Sequence, residues 1–181
     1  MSIFSATSAD AVAGASAYTA ALLARLGDRD PLLGLAEGPA SLEAAVAGLE
    51  SAEVRRPEAP GKWSILQVVQ HLADSEWVVG YRIRLILTQD RPPIVGYDQD
   101  VWVGSLHAGD DDLGDVLARQ AALRRATLGL LLGTSAEQRA RVGIHAERGE
   151  ESVERTYRLL AAHDLVHLDQ IARIRRGGTG R

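Results

Sequence analysis

The chain of 181 residues contains no cysteine, and this absence removes several kinds of chemistry at once. Disulfide bonds, thiolate metal ligands and a cysteine nucleophile are all excluded. Aromatic residues are also scarce, at 4% against a hydrophobic total of 46%. Alanine and leucine supply much of the apolar side-chain surface, which favours helices packed on helices over a β-sandwich.

The sequence also lacks a strong excess of one charge and a long apolar run. The formal net charge is −4 at pH 7, so we expect no nucleic-acid partner. No apolar stretch has the length of a membrane span, and the N-terminus lacks the basic-then-apolar pattern of a signal peptide. We therefore expect a cytoplasmic protein with no membrane partner, in which residues 1–181 form one all-α domain.

In the first third of the chain, apolar periodicity and capping residues predict three helical pieces. Ser8 is the expected N-cap of a helix that runs to about Arg25. A short piece over residues 31–36 should end at Gly38–Pro39, because proline breaks helices. A further helix should begin at Ser41 as its cap and end near residue 50.

The strongest predicted helix runs from Ser64 to about Gln89, and Glu76 falls within its apolar stripe. A later helix follows the acidic run at residues 110–112, and Arg124 lies within its stripe. Charged side chains are expensive to bury unless they are paired. A buried Glu76–Arg124 ion pair is therefore one interpretation, and functional roles for the two side chains are the other.

The segments outside these helices are expected to be irregular. Residues 94–102 are too polar for a strand and are predicted as a loop, and residues 143–149 as a second loop. His107 and His145 fall in such segments and are predicted to lie at the surface. A last helix is expected from about Ser152 to Arg176.

Three histidines form the candidate metal site. His163 and His167 are four residues apart on one face of the last helix, within its inward stripe. A single core histidine is usually structural, but two neutral imidazoles in one stripe are both satisfied by a shared metal. His71, at the edge of the stripe of the strong helix, is the third candidate, and three ligands leave a coordination position open. Nitrogen ligands suit Zn or Ni first, with Fe, Mn or Cu as alternatives, rather than Ca or Mg.

The stretch from His163 to His167 reads His-Asp-x-x-His, where a zinc protease has His-Glu-x-x-His. Asp164 has the shorter carboxylate, and His71 does not follow the protease layout. A protease is therefore disfavoured, and Glu76 is the better candidate for orienting a ligand or holding a proton.

With these residues in place, the chain resembles the DinB-like superfamily, which includes the YfiT-type hydrolase-like bundle proteins. The resemblance extends from about Pro57 to Arg175 and rests on four motifs in the family's order: Lys62-Trp63-Ser64, His71-Leu72-Ala73-Asp74-Ser75-Glu76, Tyr97-Asp98-Gln99-Asp100-Val101-Trp102, and His163-Asp164-Leu165-Val166-His167-Leu168-Asp169-Gln170-Ile171.

The resemblance implies a four-helix bundle with up-down-down-up connectivity. The residue pattern adds extra short helices and a long loop before the third bundle helix. The resemblance also implies a divalent metal on His71, His163 and His167, and a homodimer. Better understood relatives are transferases or isomerases that use low-molecular-weight thiols such as bacillithiol or mycothiol.

The expected function is a metal-dependent enzyme acting on a small molecule, either a thiol S-transferase or a hydrolase. Glu76 or Asp98 would assist proton transfer, and Arg124 would hold a substrate carboxylate. The alternatives are a non-catalytic, stress-related or structural metal-binding bundle, and a helical interaction module without a metal.

Overall fold

The computed structural model describes residues 9–107 and 111–177. Ser8 and Asp110, for which helix-starting roles were predicted, lie outside these residues. The helices are α1 (Ala9–Leu26), α2 (Pro31–Val46), α3 (Ser51–Arg55), α4 (Ile65–Thr88), α5 (Gln99–Ser105), α6 (Leu113–Leu132), α7 (Ala136–Ala140) and α8 (Val153–Arg175). The strands are β1 (Pro93–Ile94), β2 (Val142–His145) and β3 (Gly149–Ser152).

Helices α2, α4, α6 and α8 form a closed ring in which α4 packs on α6, α6 on α2, α2 on α8 and α8 on α4. Helix α1 packs on the outside of α8. Gln70, near the start of α4, donates a hydrogen bond to Asp111, just before α6, at 2.9 Å. Glu76 and Arg124, further along the same two helices, are also in contact, so α4 and α6 run parallel.

The other two helices run in the opposite direction. Arg175, at the end of α8, donates to the carbonyl of Ala45, near the end of α2, so these helices are parallel to each other. Ile65, at the start of α4, shares an apolar cluster with Ile174, at the end of α8. The connectivity is therefore up-down-down-up, and the predicted four-helix bundle is confirmed.

The bundle core consists of two apolar clusters separated by a polar layer. One cluster includes Leu35, Ile83, Leu131 and Leu160. The other includes Leu42, Val69, Val116 and Ile171. Each bundle helix contributes to both clusters and passes through the polar layer between them. The residues at that level are Gly38 in α2, Glu76 in α4, Arg124 in α6, and His163 with Asp164 in α8.

The predicted break at Gly38–Pro39 is wrong. Helix α2 is continuous across both residues, and its N-cap is Asp30, whose carboxylate accepts the N–H groups of Leu32 and Leu33. Ser41 therefore lies inside the helix instead of capping a new one.

A side chain from another helix compensates for the proline. Pro39 has no N–H, so the carbonyl of Leu35, four residues earlier, lacks its usual helical partner. Arg124 Nη1 of α6 donates to that carbonyl at 3.0 Å. Gly38 makes the approach possible, because a Cβ atom there would lie 2.6 Å from Arg124 Nη1.

Two segments predicted as loops contain regular structure. Helix α5 lies in and beyond the 94–102 segment, and β1 begins at its edge. The 143–149 segment is part of a hairpin in which β2 pairs antiparallel with β3, while β1 pairs parallel with β2. Gly149, with φ of 71°, lies at the start of β3 in a conformation that favours glycine. Helix α3, also not predicted, begins with a capping box between Glu50 and Glu53.

The two helices that carry the histidines are confirmed within a residue or two of their predicted limits. Ser64 caps α4 and Ser152 caps α8, each by accepting a backbone N–H. None of the helices in the described ranges is long and apolar enough to cross a membrane.

Arg124 should be essential to the stability of the bundle. Replacing it in Arg124→Met leaves Glu76, Asp164 and the Leu35 carbonyl without their partner in a buried layer. We expect the free energy of unfolding, measured by urea denaturation, to fall by about 3–5 kcal/mol. Arg125→Met, at the exposed neighbouring position, is the control and should cost less than about 0.5 kcal/mol. Equal losses in the two variants would contradict this role.

Candidate metal centre

Three imidazoles from two helices converge in the polar layer of the bundle. His71 comes from α4, and His163 and His167 come from successive turns of α8. His163 Nε2 lies 3.0 Å from His71 Nε2 and 3.0 Å from His167 Nε2. The exposed fractions are 1% for His71, 9% for His163 and 8% for His167. The structure therefore brings together the three histidines that the sequence singled out.

The environment keeps these imidazoles neutral. Burial lowers the pKa of His163 to about 4, and nearby Arg124 lowers it further. Burial and the neighbouring His163 lower the pKa of His167 to about 3. Burial and the other two histidines hold the pKa of His71 well below its usual range. Near pH 7 each ring therefore has a nitrogen lone pair available for a metal.

Gln170 determines which nitrogen of His167 carries the hydrogen. Its Oε1 lies 2.8 Å from His167 Nδ1, so neutral His167 donates from Nδ1 and presents the lone pair of Nε2 to the cluster. Partners of this kind orient metal-ligating histidines. The sequence analysis gave Gln170 no role in the site, although its i+3 spacing from His167 was an available signal.

The cluster fits a transition metal. Nε2 atoms 3.0 Å apart match ligand atoms that each lie about 2.1 Å from one ion. The ligand atoms of all three residues lie within 4.8 Å of one another. Without a metal, three neutral rings would face one another with few donors to share. The donor set is all nitrogen, which suits Zn, Ni, Cu or Fe.

Trp63 lies against the cluster. Its ring centroid is 4.9 Å from that of His71 and 6.5 Å from that of His167, and it is stacked on the latter. This residue precedes the N-cap of α4 and places an apolar surface beside two ligands. A dry wall of this kind limits solvent access to a metal site.

The Glu76–Arg124 ion pair forms, and it includes a third partner. Arg124 Nε donates to Glu76 Oε1 at 2.6 Å, and Arg124 Nη1 lies 2.8 Å from Asp164 Oδ2. Burial opposes the charge on Arg124, but Asp164 and Glu76 outweigh it and raise its pKa. Burial raises the pKa of Glu76, while Arg124 acts in the opposite direction. Asp164 is thus part of the ion-pair network, directly after the ligand His163.

Asp98 has a local structural contact. Its Oδ1 accepts the N–H groups of Asp100 at 2.9 Å and Val101 at 3.1 Å, which caps helix α5. The catalytic roles predicted for Asp98, Glu76 and Arg124 stay predictions.

Neither of the two histidines predicted to lie at the surface is exposed: His145 is buried and His107 is partly buried. The His107 side chain is 8% exposed, and its Nε2 lies 2.7 Å from Asp74 Oδ2. His145 is 1% exposed, and its Nδ1 accepts the N–H of Glu147 at 3.1 Å. Burial, with smaller effects from Arg148 and Arg82, lowers the pKa of His145 to about 4. Both assignments were wrong because their segments fold back onto the bundle.

A pocket opens beside His163. Residues from α1, α4, the β2–β3 hairpin and α8 form its walls, which are largely apolar with a few polar side chains. The lining residues are Tyr18, Thr19, Leu22, Ser75, Val79, Arg82, Tyr97, Arg148, Glu151, Thr156, Leu159, Leu160 and His163.

Comparison with known proteins agrees with this geometry. The protein-family model of the DinB superfamily matches residues 35–171, which include the whole histidine cluster. The chain belongs to the DinB superfamily. The matched range contains all four helices of the ring, apart from the ends of α2 and α8, and all three histidines.

Individual relatives cover between 40% and 77% of the chain. The Bacillus subtilis protein named "Putative metal-dependent hydrolase YfiT" is 29% identical over 143 residues, which are 77% of this chain and 80% of YfiT. A Geobacillus thermodenitrificans protein, likewise named a "Putative metal-dependent hydrolase", is 38% identical over 72 residues, 40% of each chain. The solved structure of B. subtilis YfiT, an unusual four-helix bundle, matches with a TM-score of 0.75 and covers 81% of this chain and 84% of that one.

Metal binding should depend on the cluster and on Gln170. Purified wild type incubated with zinc should retain about one ion per chain, and His163→Ala should retain almost none. Gln170→Leu should weaken binding by about 10–100-fold, because the His167 ring loses its orienting partner. Competition with a chromophoric chelator measures the affinities. Asp169→Asn, at the exposed adjacent position, is the control, and equal affinities in all four proteins would rule out the site.

His145 should contribute to the loss of stability in acid. Its folded-state pKa of about 4 lies below the ordinary value of 6.5, so between these pH values the unfolded state binds more protons. Its contribution is full above pH 6.5 and is lost as the pH falls towards 4. His145→Asn removes the ionisation and keeps an acceptor for Glu147. Between pH 6.5 and 4 the unfolding free energy of this variant should therefore fall less steeply with decreasing pH than that of wild type. The difference in slope should reach up to about 1.4 kcal/mol per pH unit. Parallel urea-denaturation profiles of the variant and wild type would contradict this.

Proposed function

We propose that the protein is a metal-dependent enzyme that acts on a small molecule at the three-histidine centre. The main support for the proposal is that the neutral imidazoles of His71, His163 and His167 converge beside a pocket to which His163 contributes. Three protein ligands leave a coordination position for a reactant, whereas structural zinc sites are usually closed by four. The names of the YfiT relatives agree with hydrolysis.

A bound divalent ion at this centre would lower the pKa of a nucleophile, either water or a low-molecular-weight thiol. The thiol must come from solution, because the chain has no cysteine. Zinc or nickel is the proposed ion, on the basis of the nitrogen donors.

The residues of the chain hold the centre in place. Gln170 orients His167, and Trp63 covers one side of the cluster. The ion pair between Arg124 and Asp164 anchors the turn of α8 that carries His163, so Arg124 is proposed as a positioning residue. Glu76 and Asp98 remain the predicted groups for proton transfer.

A two-part assay tests the proposal. Zinc-loaded and nickel-loaded proteins are offered a panel of small esters and amides without thiol, and then 1-chloro-2,4-dinitrobenzene with cysteine, glutathione, bacillithiol or mycothiol. Turnover in the first part indicates hydrolysis, and thiol-dependent turnover in the second indicates transfer. In either case His163→Ala should lower the rate by at least about 100-fold, since nucleophile activation is lost.

Asp169→Asn should keep the wild-type rate, which controls for general effects on α8. If loaded wild type is inactive in both parts while metal binding raises its thermal stability, the centre is structural and the enzyme proposal fails. Equal rates in wild type and His163→Ala would also overturn it.

A further inference from the structure

A second buried charged group lines the pocket to which His163 also contributes. Arg82 of α4 is 5% exposed, and its Nη2 donates to the carbonyl of Val95 at 2.6 Å. Among the described residues it has no carboxylate within ion-pair distance. Burial and the nearby Arg148 lower its pKa to about 10, so it is charged at neutral pH. Glu151 and Glu147 act on it from further away and favour its charged form, but neither forms an ion pair with it.

The second arginine of the pocket is already neutralised. Arg148 Nε lies 2.7 Å from Glu151 Oε2, and its Nη2 lies 3.0 Å from Glu151 Oε1. Thr156 also donates to Glu151 Oε1, at 3.3 Å. His145 is close to this group but neutral, because its pKa is about 4. The charged side chains that line the pocket therefore sum to about +1, while Glu147, which is not part of the lining, also acts on both arginines.

Apolar side chains form much of the remaining wall, which also contains the polar residues Tyr18, Thr19, Ser75, Tyr97 and Thr156. Leu22 from α1, Val79 from α4 and Leu159 and Leu160 from α8 line the same pocket, and His163 is part of its wall. A ligand in this pocket would therefore contact apolar side chains along most of its surface and lie beside a metal ligand.

We propose that this pocket binds the substrate, and that the substrate is a small, largely apolar molecule with a single carboxylate held by Arg82. One negative charge balances the pocket, whereas a phosphate dianion would leave an excess and face Glu151. The apolar body packs against Leu22, Val79 and Leu160. That the bound molecule is a substrate rests on the proposed enzymatic function. Its binding to the pocket does not require catalysis.

Binding of matched probes tests the proposal. Isothermal titration calorimetry is carried out on the full chain, stripped of metal, with 3-phenylpropanoate, 3-phenylpropanamide and 2-phenylethyl phosphate. In wild type the carboxylate should bind at least about tenfold more tightly than the amide, because the amide cannot form the ion pair with Arg82. It should also bind more tightly than the phosphate ester.

Variants identify the group responsible. Arg82→Gln should bind the acid and the amide equally, whereas Arg84→Gln, an exposed arginine on the same helix, should keep the wild-type preference. Arg82→Lys should retain part of the preference. Glu151→Gln should increase the preference for the acid, because Arg148 loses its counter-charge and the pocket becomes more positive. The Arg82→Lys and Glu151→Gln results decide the matter if Arg82→Gln does not fold.

Three results would overturn the proposal: equal affinities for acid and amide in wild type, no binding of either, or an unchanged preference when Arg82 is replaced. Because the measurements use metal-free protein, they succeed or fail independently of the turnover assay. Repeating them with zinc-loaded protein shows whether the acid and the metal bind together.

Discussion

The guanidinium of Arg124 is the contact on which the arrangement of the bundle depends. From α6 it reaches Glu76 on α4, Asp164 on α8 and the Leu35 carbonyl on α2, so one side chain joins all four helices of the ring. A charged group buried this deeply is tolerated only because each side of it meets a partner. The same network includes the residue after His163 and the residue five positions after His71. The histidine cluster is thereby tied to the core of the fold.

The sequence predicts the parts of the structure that depend on local periodicity. Helices α4 and α8 have long apolar stripes, and the histidines at residues 71, 163 and 167 lie in or beside those stripes. The continuity of α2 was not predictable in this way, because the group that compensates for Pro39 lies 89 residues away in the chain. The β2–β3 hairpin was missed because its strands have only four residues each, and because β2 also pairs with β1, which is distant in the chain. The burial of His145 follows from that hairpin, so it was missed for the same reason.

The metal centre and the pocket are built from different kinds of structure. The ligands lie on two long helices whose positions are set by packing on both sides. The pocket takes its walls from α1 and from the hairpin as well, which lie outside the ring of four helices. Changes in these peripheral elements can alter the ligand that is accepted while leaving the three histidines in place. The fold and the pocket can therefore vary separately, since a site is set by the residues that a fold presents and not by the fold alone.

The polar layer between the two apolar clusters also determines how the four helices are aligned along their axes. Moving any bundle helix by one turn along its neighbours, about 5.4 Å, would place Arg124, a carboxylate or an imidazole against leucine and valine side chains. Purely apolar helices tolerate such sliding, since one leucine contact resembles the next. Here every misaligned packing leaves a charge buried without its partner, so the competing arrangements are separated from the native one by a wide energy gap. The layer therefore specifies one alignment of four helices.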